Sequence, residues 1–317
     1  MSQTVRGRFA PSPSGRMHLG NLFSALLAWL SVRSAGGIMV LRIEDLDPDR
    51  CREEYAVQLA DDLRWLGLDW DEGYQAGGPH APYRQSQRTA SYAAAFHTLQ
   101  ERGLIYPCFC TRAERLAASA PHLGQGQGAY GGKCRSLTPR QREELSACRH
   151  PSWRLQVPDQ TAAFQDGLQG AYAENLLRGC GDFILRRSDG VYAYQLAVVC
   201  DDADMEITQV VRGRDLLSST PRQLYLYQLL GRKAPQFCHV PLLLSEDGRR
   251  LSKRDGDLDM GALRERCTPQ ALLGRLAYLA GLLPLPEPVS AAELIPLFSW
   301  EQVRKEDVTL SDTSDAF

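Results

Sequence analysis

Val5-Arg-Gly-Arg-Phe-Ala-Pro-Ser-Pro-Ser-Gly-Arg-Met-His-Leu-Gly-Asn21, followed by Gly36-Gly-Ile-Met-Val-Leu-Arg-Ile-Glu-Asp45, sets the reading of the whole chain. Residues 5–9 read as a short strand, and Pro and Ser with Gly15 punctuate a loop after it. Leu22, Ala25, Leu26, Trp29 and Leu30 then recur at helical spacing until Gly36-Gly37 stops the helix. Residues 38–43 form a second, buried-type strand whose carboxyl end delivers Glu44 and Asp45. Strand, loop, helix and strand make a βαβ unit, so the expected class is α/β with a parallel sheet. Ligands in such sheets bind beyond the carboxyl ends of the strands. The loop puts His18 and the helix N-terminus at Gly20-Asn21 where an anion can sit. A competing role for Glu44 is to cap the next helix.

Far downstream, Arg250-Leu-Ser-Lys-Arg254 sets Lys253 between two arginines in a loop bounded by Gly and Asp. A cationic loop of this kind can close over a polyphosphate and neutralise charge that develops during phosphoryl or nucleotidyl transfer. Taken alone, it also suits a solvated basic turn.

The chain has 317 residues, 44% hydrophobic, with a formal charge of -2. That length supports a sizeable core in more than one packed unit. The charge balance excludes a globally basic nucleic-acid coat, so RNA contacts must come from local groups such as Arg112, Arg115, Lys133 and Arg135, or residues 249–254. Nine cysteines, an odd number, argue against a disulfide framework. No secretory apolar region precedes Arg6, and no apolar run could span a bilayer. The expectation is a cytoplasmic protein with no membrane contact.

Further helices are expected at residues 53–66 and 87–102. From residue 107 to about 158 the text is rich in Cys, Gly, Arg and Ser and reads as an insertion. Residues 183–194 suggest a hairpin turning at Asp189-Gly190, and residues 207–212 a buried strand ending in Arg212. Thr220-Pro221 reads as an N-cap and N1 pair for a helix to Gly231. A helix is expected over 260–281 and a last short one over 291–303, with a frayed tail at 311–317.

Cys108-Phe-Cys110 and Cys134 suit a closed tetrahedral Zn²⁺ site that folds a core-poor insertion. Tyr130, His122, Cys148 and His150 are candidate fourth ligands, and ligand statistics favour the His and Cys residues. Cysteines 51, 148, 180, 200, 238 and 267 otherwise read as core or incidental.

His18-Leu-Gly-Asn21 and Arg250-Leu-Ser-Lys-Arg254 resemble the two signature motifs of class I aminoacyl-tRNA synthetases. Arg8-Phe-Ala-Pro-Ser-Pro-Ser-Gly15, Leu41-Arg-Ile-Glu-Asp-Leu-Asp47, Trp65-Leu-Gly-Leu-Asp-Trp70, Tyr192-Ala-Tyr-Gln-Leu-Ala197 and Val211-Arg-Gly-Arg-Asp-Leu216 resemble the glutamyl branch, in family order. The resemblance implies a Rossmann-type catalytic domain, an α/β fold with a doubly wound parallel sheet, split over residues 1–106 and 170–240. It also implies a zinc-containing insertion at 107–169 and a signature-loop and helical part at 241–317. Only 63 residues follow Arg254 (317 − 254), which leaves no room for the helical anticodon-binding region of full-length members. That points to the short form of the branch, for which the resemblance implies a ligase that activates L-glutamate with ATP and Mg²⁺ and transfers it to queuosine in the anticodon of tRNA(Asp). A monomer is expected.

By the same resemblance, His18 and Lys253 are catalytic, and Gly20, Asn21, Arg250, Ser252 and Lys253 join His18 around ATP. Arg250 stands where the family usually carries a lysine, which keeps the charge and changes the geometry. A substrate with two carboxylates and one ammonium calls for buried cations and one anion. Arg8 with Phe9, Ala10, Pro11 and Ser12, then Glu44, Tyr194 and Arg212, are implied to line that pocket. Glu44 and Tyr194 suit the ammonium, and Arg8 and Arg212 the carboxylates. The family spacing Tyr130-Gly-Gly-Lys-Cys134 selects Tyr130 as the fourth zinc ligand. The alternatives are a catalytically idle, zinc-folded RNA-binding paralogue and another class I nucleotidyltransferase that adenylylates a small carboxylate.

Overall fold

The computed structural model describes residues 4–110, 130, 132–249, 251 and 259–310. Strand β1 (Arg6–Phe9) passes through the Pro/Ser/Gly loop into α1 (Leu19–Ser34), and β2 (Ile38–Leu41) returns parallel to β1. Leu19, Leu22, Leu26 and Leu30 of α1 are fully buried, as their spacing requires. The helix lies so close to β1 that a Cβ on Gly7 would stand 2.3 Å from Val32 Cγ2.

Helix α2 (Glu53–Trp65), strand β3 (Glu72–Gly73) and helix α3 (Thr89–Glu101) follow. Next come β4 (Ile105–Cys108), α4 (Pro139–Cys148), β5 (Ser152–Leu155), the hairpin β6 (Thr161–Asp166) and β7 (Gly170–Asn175), and β8 (Phe183–Arg186). Helix α5 (Tyr194–Asp204), β9 (Gln209–Gly213), α6 (Thr220–Leu229) and β10 (Gln236–Val240) complete the central part. The remainder holds β11 (Leu243–Leu244), α7 (Met260–Arg266), α8 (Pro269–Ala280), α9 (Ala291–Leu294) and β12 (Val308–Thr309).

The main sheet is parallel throughout, in the order β10-β9-β1-β2-β3. The chain winds outward from β1 to β3 on one side and from β9 to β10 on the other. The reversal lies between β1 and β9, so the crevice beyond the carboxyl ends of these two strands is where a ligand fits. A separate antiparallel sheet, β4-β5-β8, joins residues 105–108, 152–155 and 183–186.

Four local expectations need correction. The turn at residues 188–190 forms, and Arg186 bridges Tyr192, but the return strand stops there and Tyr194 opens α5. The reason is the apolar run Leu196, Ala197, Val199 and Cys200, buried at helical spacing. Ser219, not Thr220, is the N-cap residue of α6, and the Thr220 hydroxyl bonds to Arg212 instead. The expected helix over 260–281 is two helices, because Pro269 forces the residue before it into an extended conformation and starts α8 afresh. The expected helix over 291–303 shortens to α9 plus a 3₁₀ turn at Ile295–Leu297 containing Pro296. In the stretch read as an insertion, Thr138-Pro139 with Gln141 forms a capping box that starts α4. That signal is visible in the sequence.

Replacing Gly7 by Val should lower stability by about 1–3 kcal/mol, because the stiff Val32 side chain cannot move aside without lifting α1. Urea unfolding followed by circular dichroism measures this, and an unchanged midpoint would show that the helix is not seated through Gly7.

Candidate active site and cysteine centre

The carboxyl ends of the parallel strands carry a buried set of charges. Arg42, just past β2, is 0% exposed, and its guanidinium is shared by Asp202 Oδ1 at 2.7 Å, Glu44 Oε1 at 3.1 Å and Asp201 Oδ2 at 3.6 Å. Arg8 Nε reaches the same Asp202 oxygen at 3.2 Å. Burial works against the Asp202 carboxylate, but Arg8 and Arg42 hold it below its ordinary range. Burial pushes the Glu44 carboxyl up, with Arg42 and Arg8 pulling it back. Glu44 is not a helix cap. Its backbone N–H donates to Pro11 C=O at 3.0 Å, which fastens the loop after β1 to the end of β2. Phe9, Ala10 and Pro11 are half-buried and Ser12 is exposed.

Tyr194, at the first turn of α5, feels the charges of Arg212, Glu44, Arg8 and Asp202, and burial raises its phenol. Thus Arg8, Glu44, Tyr194 and Arg212, spread over two hundred residues of sequence, come together. Arg212 is held along one edge. Its Nε donates to His239 Nε2 at 3.0 Å and its Nη2 to Thr220 Oγ1 at 2.9 Å. The register pairs Arg212 of β9 with His239 of β10, which puts both side chains on one face. Arg212 Nη1 is buried with no hydrogen-bond partner, as is the Tyr227 hydroxyl nearby. Burial and then Arg8 push the Arg212 guanidinium below its ordinary value. A buried donor without a partner costs free energy, so Arg212 Nη1 is a candidate for holding an anion.

The sequence reading does not single out Arg42, Asp201, Asp202, Thr220 or His239 for the site. Asp201-Asp202 inside an otherwise apolar helix and Arg42 inside an apolar strand are the available signals, since buried charges need buried partners.

Across the crevice, His18 precedes α1 and receives the Asn21 side chain, whose Oδ1 accepts from His18 N–H at 3.2 Å. A Cβ on Gly20 would lie 3.3 Å from the His18 ring, so glycine gives the imidazole its place over the helix start. His18 also forms an antiparallel bridge with Asp259, and Met260 N–H donates to Met17 C=O at 2.9 Å. Asp259 follows Lys253 by six residues. Arg250, Ser252, Lys253 and Arg254 themselves lie outside the described residues, as do Arg112, Arg115 and His122.

The thiols of Cys108, Cys110 and Cys134 are buried and lie within 4.8 Å of one another, a cluster that could hold a metal. Tyr130 Oη stands 3.5 Å from Cys108 Sγ and 3.3 Å from Cys110 Sγ. Cys148 and His150 are exposed and outside the cluster. Arg154, also not singled out by the sequence, donates from Nε to Cys108 Sγ at 3.2 Å, and its guanidinium lies 3.8 Å from the Tyr130 ring centre. Burial pushes the Cys108 thiol up, but Tyr130 and Arg154 outweigh it and bring it down to about 7. Burial pushes Cys110 up to about 12 and raises Tyr130 as well.

The family described as class I tRNA synthetases (E and Q), catalytic domain, matches residues 4–308. The chain is 52% identical over 308 residues to a glutamyl-Q tRNA(Asp) synthetase from Symbiobacterium thermophilum, covering 96% of this chain and 95% of that one. It is 41% identical over 312 residues to a glutamate–tRNA ligase from Sulfurihydrogenibium sp., covering 97% of this chain and 65% of that one. The fold is similar to the crystal structure of a glutamate tRNA ligase from Elizabethkingia meningosepticum in complex with its amino acid. There the TM-score is 0.82 and the identity 30%, over 98% of this chain and 67% of that one.

His239 generates a pH dependence. Burial, with Arg212 beside it, lowers the imidazole from 6.5 to about 4 despite Asp166. The unfolded chain therefore binds the proton more readily, so stability is complete above pH 6.5 and falls as pH drops toward 4. The loss attributable to this group approaches about 3 kcal/mol. Urea unfolding at pH 7 and 4.5 should show a smaller loss for His239→Gln than for the native chain, and equal losses would contradict the assignment.

Proposed function

The chain belongs to the class I tRNA synthetase (E and Q) catalytic-domain family, and from that premise we propose that it activates L-glutamate with ATP and transfers the glutamyl group to queuosine in the anticodon of tRNA(Asp). The observation that carries the amino-acid part is Arg212 Nη1, buried and unpartnered beside Arg8, Glu44 and Tyr194. This set has the charges of a glutamate pocket: guanidinium for the side-chain carboxylate, and Glu44 with the Tyr194 hydroxyl for the ammonium. The tRNA acceptor is supported by the near full-length match to the glutamyl-Q relative, against 65% coverage of the glutamate–tRNA ligase.

In the first step an oxygen of the substrate's α-carboxylate attacks the α-phosphorus of ATP, and the bond to pyrophosphate breaks. Catalysis here is alignment and charge stabilisation. The pocket cations hold the amino acid so that its α-carboxylate faces the nucleotide side. His18 donates to phosphate oxygens, with Gly20 and Asn21 shaping the helix start beneath them. Lys253, with Arg250 and Ser252, neutralises the departing pyrophosphate, and Mg²⁺ supplies further positive charge on those oxygens. In the second step a nucleophilic group of queuosine attacks the glutamyl carbonyl carbon and AMP leaves.

Cys108, Cys110, Tyr130 and Cys134 would hold one structural Zn²⁺. In a tetrahedral site with Zn–S near 2.3 Å the sulfur–sulfur edges are about 3.8 Å, and Cys110 Sγ and Cys134 Sγ are 3.7 Å apart. Zinc would stabilise the insertion at residues 107–169, leaving residues 1–106 and 170–240 as the catalytic sheet and 241–317 as the loop-bearing part. The reaction belongs in the cytoplasm, with ATP and tRNA. No helix among the described residues is long and apolar enough to cross a membrane.

ATP–pyrophosphate exchange that depends on glutamate and needs no tRNA is the expected behaviour, followed by transfer of labelled glutamate to queuosine-containing tRNA(Asp) and not to tRNA lacking queuosine. No exchange, or exchange with another acid, would overturn the reading. In the same assay Arg212→Ala should raise the KM for glutamate by about 100-fold or more while the KM for ATP changes little. Native protein should contain one zinc per chain by atomic emission, and Cys134→Ser less than about a tenth of that.

A further inference from the structure

Asp166 lies at the end of β6, far in sequence from every motif, yet it is fully enclosed and touches the amino-acid site through a single intermediary. Its two oxygens have separate duties. Oδ1 accepts the backbone N–H groups of Leu168 at 3.0 Å, Gln169 at 2.9 Å and His239 at 3.1 Å. Oδ2 faces His239 Nδ1 at 2.5 Å. A carboxylate only accepts, so the ring proton must sit on Nδ1 and Nε2 must be a bare acceptor. That acceptor takes the Arg212 Nε–H at 3.0 Å. Thr220 Oγ1 accepts from Arg212 Nη2 and lies 3.3 Å from the same His239 nitrogen. The guanidinium is thus clamped along its Nε–Nη2 edge, and Nη1 is the buried donor left over.

We infer that Asp166 is a positioning residue for substrate recognition: by dictating the His239 tautomer it aims Arg212 at the side-chain carboxylate of the amino acid. The inference rests on the glutamate reading above and deepens it. The hairpin between β6 and β7 is tied to the sheet at this point, since Gly167 N–H donates to Phe237 C=O at 2.8 Å and Gln169 Nε2 to His239 C=O at 2.9 Å. Phe237 stacks on the His239 ring at 6.2 Å between centres and keeps the imidazole plane fixed.

Asp166→Asn separates this role from simple packing. The three backbone donors keep an oxygen at the Oδ1 place, so the amide NH₂ faces His239 Nδ1. The ring must then accept there and carry its proton on Nε2, which points a donor at the Arg212 Nε–H. Loss of one charge-assisted hydrogen bond predicts a KM for glutamate raised about 10- to 100-fold, with kcat and the KM for ATP within about threefold. The double variant Asp166→Asn with His239→Gln places an amide oxygen before Arg212 and should recover most of the lost affinity. Long-range ¹⁵N–¹H spectra of the imidazoles should show the Nδ1–H form in the native protein and the Nε2–H form in Asp166→Asn. A native Nε2–H tautomer overturns the inference even if the variant does not fold. A folded Asp166→Asn with native KM for glutamate, or with ATP and glutamate affected alike, overturns it too. Native protein that gives no glutamate-dependent exchange overturns the glutamate reading itself, and the inference with it.

Discussion

A buried guanidinium is costly unless it is paired or hydrogen-bonded, and the carboxyl edge of this parallel sheet encloses three of them together: Arg8, Arg42 and Arg212. Asp202 bridges the first two, Glu44 and Asp201 complete the shell of Arg42, and α5 is held against the sheet by these bonds. Arg212 is treated differently. Among the described residues no carboxylate forms an ion pair with it, and neutral His239 and Thr220 hold it from one side. Two of the three cations thus pair with carboxylates of the chain, and the third is held by neutral groups.

The two chemical halves of the site are joined by backbone as well as by side chains. The bridge between His18 and Asp259 ties the start of α1 to the segment that follows the second cationic motif. The β6–β7 hairpin makes a comparable tie at the opposite margin, where Asp166 reaches behind His239. Both ties use few residues and long sequence separations, so they form only in the folded chain. The cysteine centre is independent of this. It lies at the end of β4, and fully buried Arg154 braces it through Cys108 and the Tyr130 ring.

Several features could be read directly from the order of residues. The β1–α1–β2 unit follows from apolar spacing and two glycines, and Arg8, Glu44, Tyr194 and Arg212 are candidates through motifs that resemble a known family. The cysteine trio follows from close spacing plus one distant thiol. Other features were hidden. Tyr194 looks like a strand residue because Val191-Tyr-Ala-Tyr alternates, and only the burial of the residues after it makes it helical. Thr220 looks like a cap because Thr-Pro is a common helix start, yet its hydroxyl is taken by a residue eight positions earlier. Asp166 and His239 carry no pattern at all, because their partnership is made across strands.

By itself the sequence determined the fold class and the two cationic motifs, since these depend on local spacing and on side-chain chemistry. Tertiary structure alone decided which arginines of the sheet edge pair with carboxylates within the chain and which one is held by neutral groups. That outcome depends on side chains from separate strands and helices meeting in a space closed to water, where a difference of one hydrogen bond or one carboxylate sets what can bind.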